Sequence, residues 1–296
     1  MRYYKPHIKS QVYPARKDPK CEISEYEFWD MAEVWKEIGT KERRQRIDWS
    51  SDWYGADSKR IDYLLEHGDK KAVEEAQSLA QSFEAKIDVE NYKPTPINSV
   101  VGGSVSVGAY VAGIPNCMRR IIPAETEISN TVACRIFLPM DSYAGLSSKQ
   151  VKTYGTICLA LAMKMQTLRP VELFSYSIGK YTVGKYRYRG SIVRLGTTPL
   201  ALSQALAFPT NLILQRGLIY NEQDCRAHGK IVSGSGSGFY DGNVFDCLDA
   251  NPSDIICPII NHHIFTTIQK DPVSWVEKMI QTSFENRDLE QKLNHG

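Results

Sequence analysis

The sequence predicts an α/β fold: a mostly parallel sheet sandwiched by helices, with a helical segment N-terminal to it. Three stretches carry this expectation. The apolar run "TVACRIFLPMD" reads as a buried strand, "VKTYGTICLALAMKMQTL" as a long helix and "RPVELFSYSIG" as a second strand. A strand–helix–strand unit implies a crossover, and a crossover implies parallel strands with helices on the sheet faces. With 296 residues, 42% of them hydrophobic, and 16 tyrosines, the chain is large enough to bury a sizeable core.

Taken in order, residues 1–20 are basic and aromatic, and Pro6, Pro14 and Pro19 argue for an extended arm rather than a helix. Residues 21–95 read as the helical N-terminal segment. In "SEYEFWDMAEVWKEIGTKERRQR", Ser24 and Glu27 have capping-box spacing, and Phe28, Met31, Val34, Trp35 and Ile38 fall at helical intervals. Two short helices follow in "DSKRIDYLLEHGD" and "KKAVEEAQSLAQSFEAKI", with Gly68 as the stop between them.

Residues 96–296 form the expected α/β domain. It opens with the Gly- and Val-rich "INSVVGGSVSVGAYVAGIPNCMRRIIPA", where "SVSVGAYV" alternates like a strand and Gly113–Pro115 marks a turn. After the crossover unit, Thr198–Pro199 starts a helix that Pro209 must break. "IVSGSGSGFYDGN" has the composition of a flexible loop, "DIICPIINHH" reads as buried, and a closing helix begins at Pro272.

The formal charge of +2 identifies no partner, but its distribution is uneven. Residues 151–220 carry nine Lys/Arg against the single acid Glu172, whereas 221–296 carry six against eleven acids. The densest stretch is "GKYRYRG" at 184–190. Lys180, Lys185, Tyr186, Arg187, Tyr188, Arg189 and Arg194 are the candidate nucleic-acid contacts, cations for phosphate and rings for base stacking. If this is a strand, alternation sends Lys185, Arg187 and Arg189 one way and the tyrosines the other, which counts against a single groove using both. The N-terminal arm adds Arg2, Tyr3, Tyr4, Lys5 and Lys9.

Other motifs carry less. "VSGSGSGF" lacks both the strand–helix setting of a dinucleotide loop and the Lys-Ser/Thr of a Walker loop. Cys257, His262 and His263 match no standard zinc spacing. The seven cysteines are scattered without a CxxC pair, as in a reducing compartment. No catalytic residue, metal or cofactor is therefore expected. The N-terminus has no signal-peptide core and there is no apolar run of about 18 residues. The expectation is a cytoplasmic protein with no membrane partner.

The order strand, Asp141, helix, strand, Thr-Pro resembles a von Willebrand factor A domain, whose metal site uses Asp-x-Ser-x-Ser and a later threonine. Here "DSYAG" supplies Asp141, but Tyr143 and Gly145 stand at the serine positions, while Thr197 or Thr198 resembles the threonine. One carboxylate and one hydroxyl are too few for a hard cation, so the resemblance implies a degenerate site without metal. Domains of this kind bind partners at the top of the sheet, which makes Asp141, Tyr143, Gly145, Thr197 and Thr198 the alternative, partner-binding set.

A second resemblance rests on "GGSVSVGAYVAGIPNCM", "LALSQALAFPTNLILQRGLIY" and "WVEKMI", which are similar to an uncharacterised tailed-phage protein family with the same degenerate domain, from about Trp53 to Met279. It implies a viral context in the host cytoplasm. With the basic stretch, this leads to a phage-encoded accessory protein that binds nucleic acid, chiefly single-stranded DNA, in viral replication or transcription. The alternative is a non-catalytic protein–protein adaptor or assembly factor that binds a viral protein or a second copy of itself.

Overall fold

The computed structural model describes residues 11–13, 21–38, 56–84, 95–99, 104–105, 118–122, 133–140, 145–180, 188–197, 204–219, 248 and 250–295. The chain divides into two compact units, one made of Met1–Phe83 with Ala133–Gly296, the other of Glu84–Val132. The smaller unit holds a three-stranded antiparallel sheet in which β5 (Met118–Ile122) lies between β3 (Thr95–Ser99) and β4 (Ser104–Val105). The rest of the alternating "SVSVGAYV" and the turn at Gly113–Pro115 lie outside the described residues.

The larger unit is α/β. Its strands are β1 (Gln11–Tyr13), β2 (Cys21–Glu27), β6 (Cys134–Pro139), β7 (Val171–Lys180), β8 (Tyr188–Thr197) and β9 (Ile255–Ile256), in the order β1-β2-β8-β7-β6-β9. The predicted crossover is present. β6 and β7 are parallel and joined by a long helix, which we term α4 (Ser148–Gln166). Ser147 caps this helix, its Oγ accepting from the Gln150 amide at 3.3 Å while Gln150 Oε1 accepts from the Ser147 amide at 3.0 Å. Most of α4 is buried, which accounts for a sequence that is apolar nearly all round.

The sheet is mixed where the sequence predicts a mostly parallel one. β2–β8, β7–β6 and β6–β9 are parallel, whereas β1–β2 and β8–β7 are antiparallel. The physical reason lies between Lys180 and Tyr188. A parallel return needs a crossover of about a dozen residues or more, and the intervening 181–187 is too short for one. β7 and β8 therefore form a hairpin.

A second correction concerns Ser24. It lies within β2, buried and opposite Ser191 of β8, rather than at a helix start. Seven consecutive ladder positions with β8 override the local helical pattern. The helical run begins later, with a 3₁₀ turn at Phe28–Asp30 and then α1 (Met31–Ile38), and the Glu27 amide donates to Asp30 Oδ2 at 3.2 Å.

Helices α2 (Lys59–His67) and α3 (Lys70–Glu84) follow on either side of Gly68. Asp69 fastens this corner to the rest of the unit. Its side chain, 9% exposed, accepts from the Ala72 amide at 3.1 Å and from Asn211 Nδ2 at 3.2 Å, with Lys152 Nζ at 3.9 Å and Arg60 at 4.0 Å. It is a helix cap and a buried acceptor in one group, and Asp69→Ala is expected to cost about 2 kcal/mol, read as a lower urea midpoint.

Past β8, a 3₁₀ turn (Ala205–Thr210) containing Pro209 and a π-helical stretch (Leu214–Ile219) stand where the sequence predicts a helix broken at Pro209. Helices α5 (His262–Lys270) and α6 (Pro272–His295) close the chain. One core cluster gathers Ile23, Phe137, Tyr176, Ile178, Ile192, Leu248 and Ile259. Tyr176 satisfies its buried hydroxyl by donating to the Cys257 carbonyl at 2.8 Å. Among the described residues, no helix is long and apolar enough to cross a membrane.

Candidate nucleic-acid interface

The register defines two ends of the larger sheet. Strands β6, β7 and β9 run in one direction and finish at Pro139, Lys180 and Ile256. β8 and β2 run the other way, so their first residues, Tyr188 and Cys21, stand at that same end, where Tyr188 pairs with both Lys180 and Cys21. The basic stretch thus belongs to the β7–β8 hairpin at the carboxyl end of the parallel strands. Lys185, Tyr186 and Arg187 lie outside the described residues. For Lys180, Tyr188 and Arg189 the backbone alone is described.

Arg194 does not belong with them. It stands six positions along β8, opposite Glu27 of β2. Its Nη2 donates to Glu172 Oε1 at 2.9 Å and its Nη1 lies 3.4 Å from Glu27 Oε1. Partial burial works against its charge, but the two carboxylates outweigh that and hold its pKa above the ordinary guanidinium value. Glu172, the lone acid of the basic block, is spent on this one cation.

The other cations of the block are dispersed too. Lys152 lies 3.9 Å from both Asp69 and Glu75, Lys164 is buried in α4, and Arg169 lies over the Phe284 ring at 6.0 Å. Lys152, Lys164, Arg169 and Arg194, close in sequence, therefore do not make one surface.

The partner-binding set is also divided. Asp141, Tyr143 and Thr198 lie outside the described residues. Gly145 is at the carboxyl end, and its carbonyl accepts from His262 Nε2 at 3.0 Å. Thr197 pairs with Glu172 at the start of β7, toward the opposite end. The structure does not bring Gly145 and Thr197 together, because β8 runs away from the carboxyl end as it approaches Thr197. The Gly145–His262 contact instead spans β6 and β9, where the strand order switches from β7 on one flank of β6 to β9 on the other.

Cys257 and His262 have separate environments. The Cys257 thiol is fully buried, and burial, with Cys158 beside it, pushes its pKa well up, which makes it a poor nucleophile. His262 and His263 are exposed in the first turn of α5, which Asn261 caps by accepting from the Ile264 amide at 2.8 Å. Among the described residues, no group of three or more His, Cys, Asp or Glu could hold a metal ion.

Sequence reasoning missed two features at the other end of the sheet, the Glu27–Arg194–Glu172 clamp and the exposed indole of Trp29. A signal for the second existed, since Trp29 falls off the Phe28, Met31, Val34, Trp35 stripe. The clamp had none, because it depends on a three-strand register.

No curated protein and no solved structure matches the chain. One family model does match, over residues 9–206, from just before β1 through the hairpin and into the Pro209-containing turn. That is about two thirds of the chain, so the protein belongs to the family described as a domain of unknown function, DUF7192.

Proposed function

We propose that this protein binds nucleic acid without catalysis, favouring single strands, as a phage accessory factor in replication or transcription. The contacts are Lys180, Lys185, Tyr186, Arg187, Tyr188 and Arg189, with Arg194 withdrawn because its charge is held by carboxylates. The observation that carries the reading is the Lys180–Tyr188 pair that closes the β7–β8 ladder. That pair sets the two flanks of the basic stretch side by side at the carboxyl end of the parallel strands. A β-ribbon end with several cations and tyrosines suits phosphate contact together with base stacking.

Anisotropy of labelled single- and double-stranded oligonucleotides across a salt series tests this. Replacing Lys185, Arg187 and Arg189 together with serine is expected to weaken binding more than about tenfold at low salt. The salt slope should become shallower by about two, given about 0.7 per neutralised single-strand phosphate. A wild-type chain that binds neither form at low salt would sink the proposal.

A second reading, the protein–protein adaptor with a degenerate von Willebrand A-like domain, draws support from the Gly145–His262 contact at the strand-order switch. A switch point is where open α/β sheets present their crevice. In this reading Asp141, Tyr143 and Gly145 would meet the partner. Pull-down with Gly145→Trp against wild type, alongside the oligonucleotide assay, separates the two.

A further inference from the structure

β9 ends the larger sheet, and among the described residues it is paired on one side only, to β6. Phe137 of β6 stands opposite Ile256, and its carbonyl accepts from the Cys257 amide at 2.9 Å. Phe137 thus bonds the residues on either side of Ile256, and Ile256 itself turns its amide and carbonyl outward, away from β6. Outward-facing backbone groups of this kind are the template on which a further strand can pair.

A cleft of about 360 Å³ lies between residues 250–256 and the middle of α6. Ile255 and Ile256 both line it. Successive strand residues point to opposite faces; Ile255 is buried, and Ile256 packs against the Phe137 cluster. A cleft that touches both therefore runs along the edge of β9 rather than over one face of the sheet. Met279, Thr282, Ser283 and Asn286 of α6 form the facing wall. The two walls are tied together, since Asn286 Nδ2 donates to the Pro252 carbonyl at 2.8 Å and Ser283 Oγ to the Ser253 carbonyl. The cleft is thus held open before anything enters it, which lowers the cost of binding.

Its lining is electrically neutral. The one carboxylate, Asp254, is held by Arg135 and the Asn251 amide, and the α6 wall offers hydroxyl, amide and thioether groups. A phosphate or a charged side chain finds no counter-charge here. A peptide backbone brings the carbonyl and amide that Ile256 can pair with, while uncharged side chains meet Met279. We propose that the edge of β9 takes up an extended, uncharged peptide segment of a partner protein as one more strand. The volume is at the small end for ligand pockets, and it admits a few residues of extended chain rather than the edge of a second folded sheet. This inference rests on neither the nucleic-acid reading nor the Gly145–His262 contact.

A library of short random peptides displayed on phage, selected on the full wild-type chain, supplies the probe. Enriched peptides are synthesised with a fluorophore and followed by anisotropy. They are expected to lack charged residues, to be rich in β-branched ones, and to change affinity less than about twofold between low and high salt. The Ile256 amide resonance should shift as peptide is added. Ile256→Pro removes that amide at an edge position where proline is tolerated, and should weaken binding about tenfold. Thr282→Trp fills the cleft from an exposed position on α6 and leaves the strand untouched, so it should abolish binding whether or not the proline variant folds.

The inference is overturned if no peptide is enriched, if enriched peptides bind the Thr282→Trp chain as well as wild type, or if their binding collapses with salt. A concentration-dependent dimer of wild type that Thr282→Trp disperses, read by sedimentation velocity, would also overturn it, because the occupant would then be a second copy. Oligonucleotide binding is read in a separate assay, so either idea can fail while the other stands.

Discussion

Gly155→Ala is expected to cost about 3 kcal/mol or more, although alanine is favoured over glycine by about 1 kcal/mol within a helix. Gly155 lies in the second turn of α4, where the helix meets the Pro209-containing 3₁₀ turn. A Cβ built there would stand 2.6 Å from the Pro209 carbonyl carbon and 2.9 Å from Thr210 Cα, and would overlap the Pro209 oxygen. These are backbone atoms, so no side chain can rotate aside to make room. Relief requires the turn to move off the helix as a body.

The turn cannot move alone. Ala205, Leu206, Ala207 and Phe208 are buried within it, Phe208 meets Phe28, and Asn211 just beyond donates to Asp69. A shift therefore opens voids around several apolar side chains and loosens the α2–α3 corner as well. Urea denaturation followed by far-UV circular dichroism would show a lower midpoint with a similar slope. A Gly155→Ala chain as stable as wild type would mean that α4 and the turn pack less closely than described.

This glycine shows where the sequence stops being readable. The β6–α4–β7 unit was legible because its signals are local: an apolar run, a long and mostly apolar helix, a second apolar strand. A glycine inside such a helix hints at a close approach, but what approaches it lies some 50 residues further on. The hairpin was half legible. Its composition stood out, whereas the pairing that makes it a ribbon end rather than one more strand in a parallel sheet is non-local. Arg194 was assigned to its site by proximity in sequence and Thr197 by the von Willebrand A resemblance, and strand direction separates each from its set. β8 carries Arg194 away from the other cations and into the reach of Glu27, on a strand about 170 residues earlier. Ser24 had the right spacing for a cap and was claimed by the ladder instead.

The second large effect is expected at Asp254. Arg135 is the one charged residue in the apolar β6, and it is held there by this carboxylate. The Arg135 amide donates to Oδ1 at 3.1 Å, its Nε to Oδ2 at 3.0 Å, and its Nη2 lies 2.7 Å from Oδ2. The Asp254 side chain is 2% exposed and also accepts from the Asn251 amide at 2.7 Å. The guanidinium lies over the Phe137 ring, 5.7 Å from its centroid. Removing the carboxylate in Asp254→Ala strips Arg135 and two amides of a shared buried acceptor, and should cost about 3–5 kcal/mol. Asp254→Asn should cost less, since its oxygen can still accept from an amide.

The damage should also be local before it is global. β9 is two residues long, and it is aligned on β6 by this ion pair on its amino side and by the Cys257 amide donating to the Phe137 carbonyl at 2.9 Å on the other. Hydrogen exchange in Asp254→Asn should therefore quicken at Ile255, Ile256 and Cys257 more than in α4. Replacing both partners, Arg135→Met with Asp254→Leu, should recover most of the lost stability, because an apolar pair of similar size carries no desolvation cost. If the double variant were as unstable as Asp254→Ala, the penalty would lie in the two amides rather than in the buried charge.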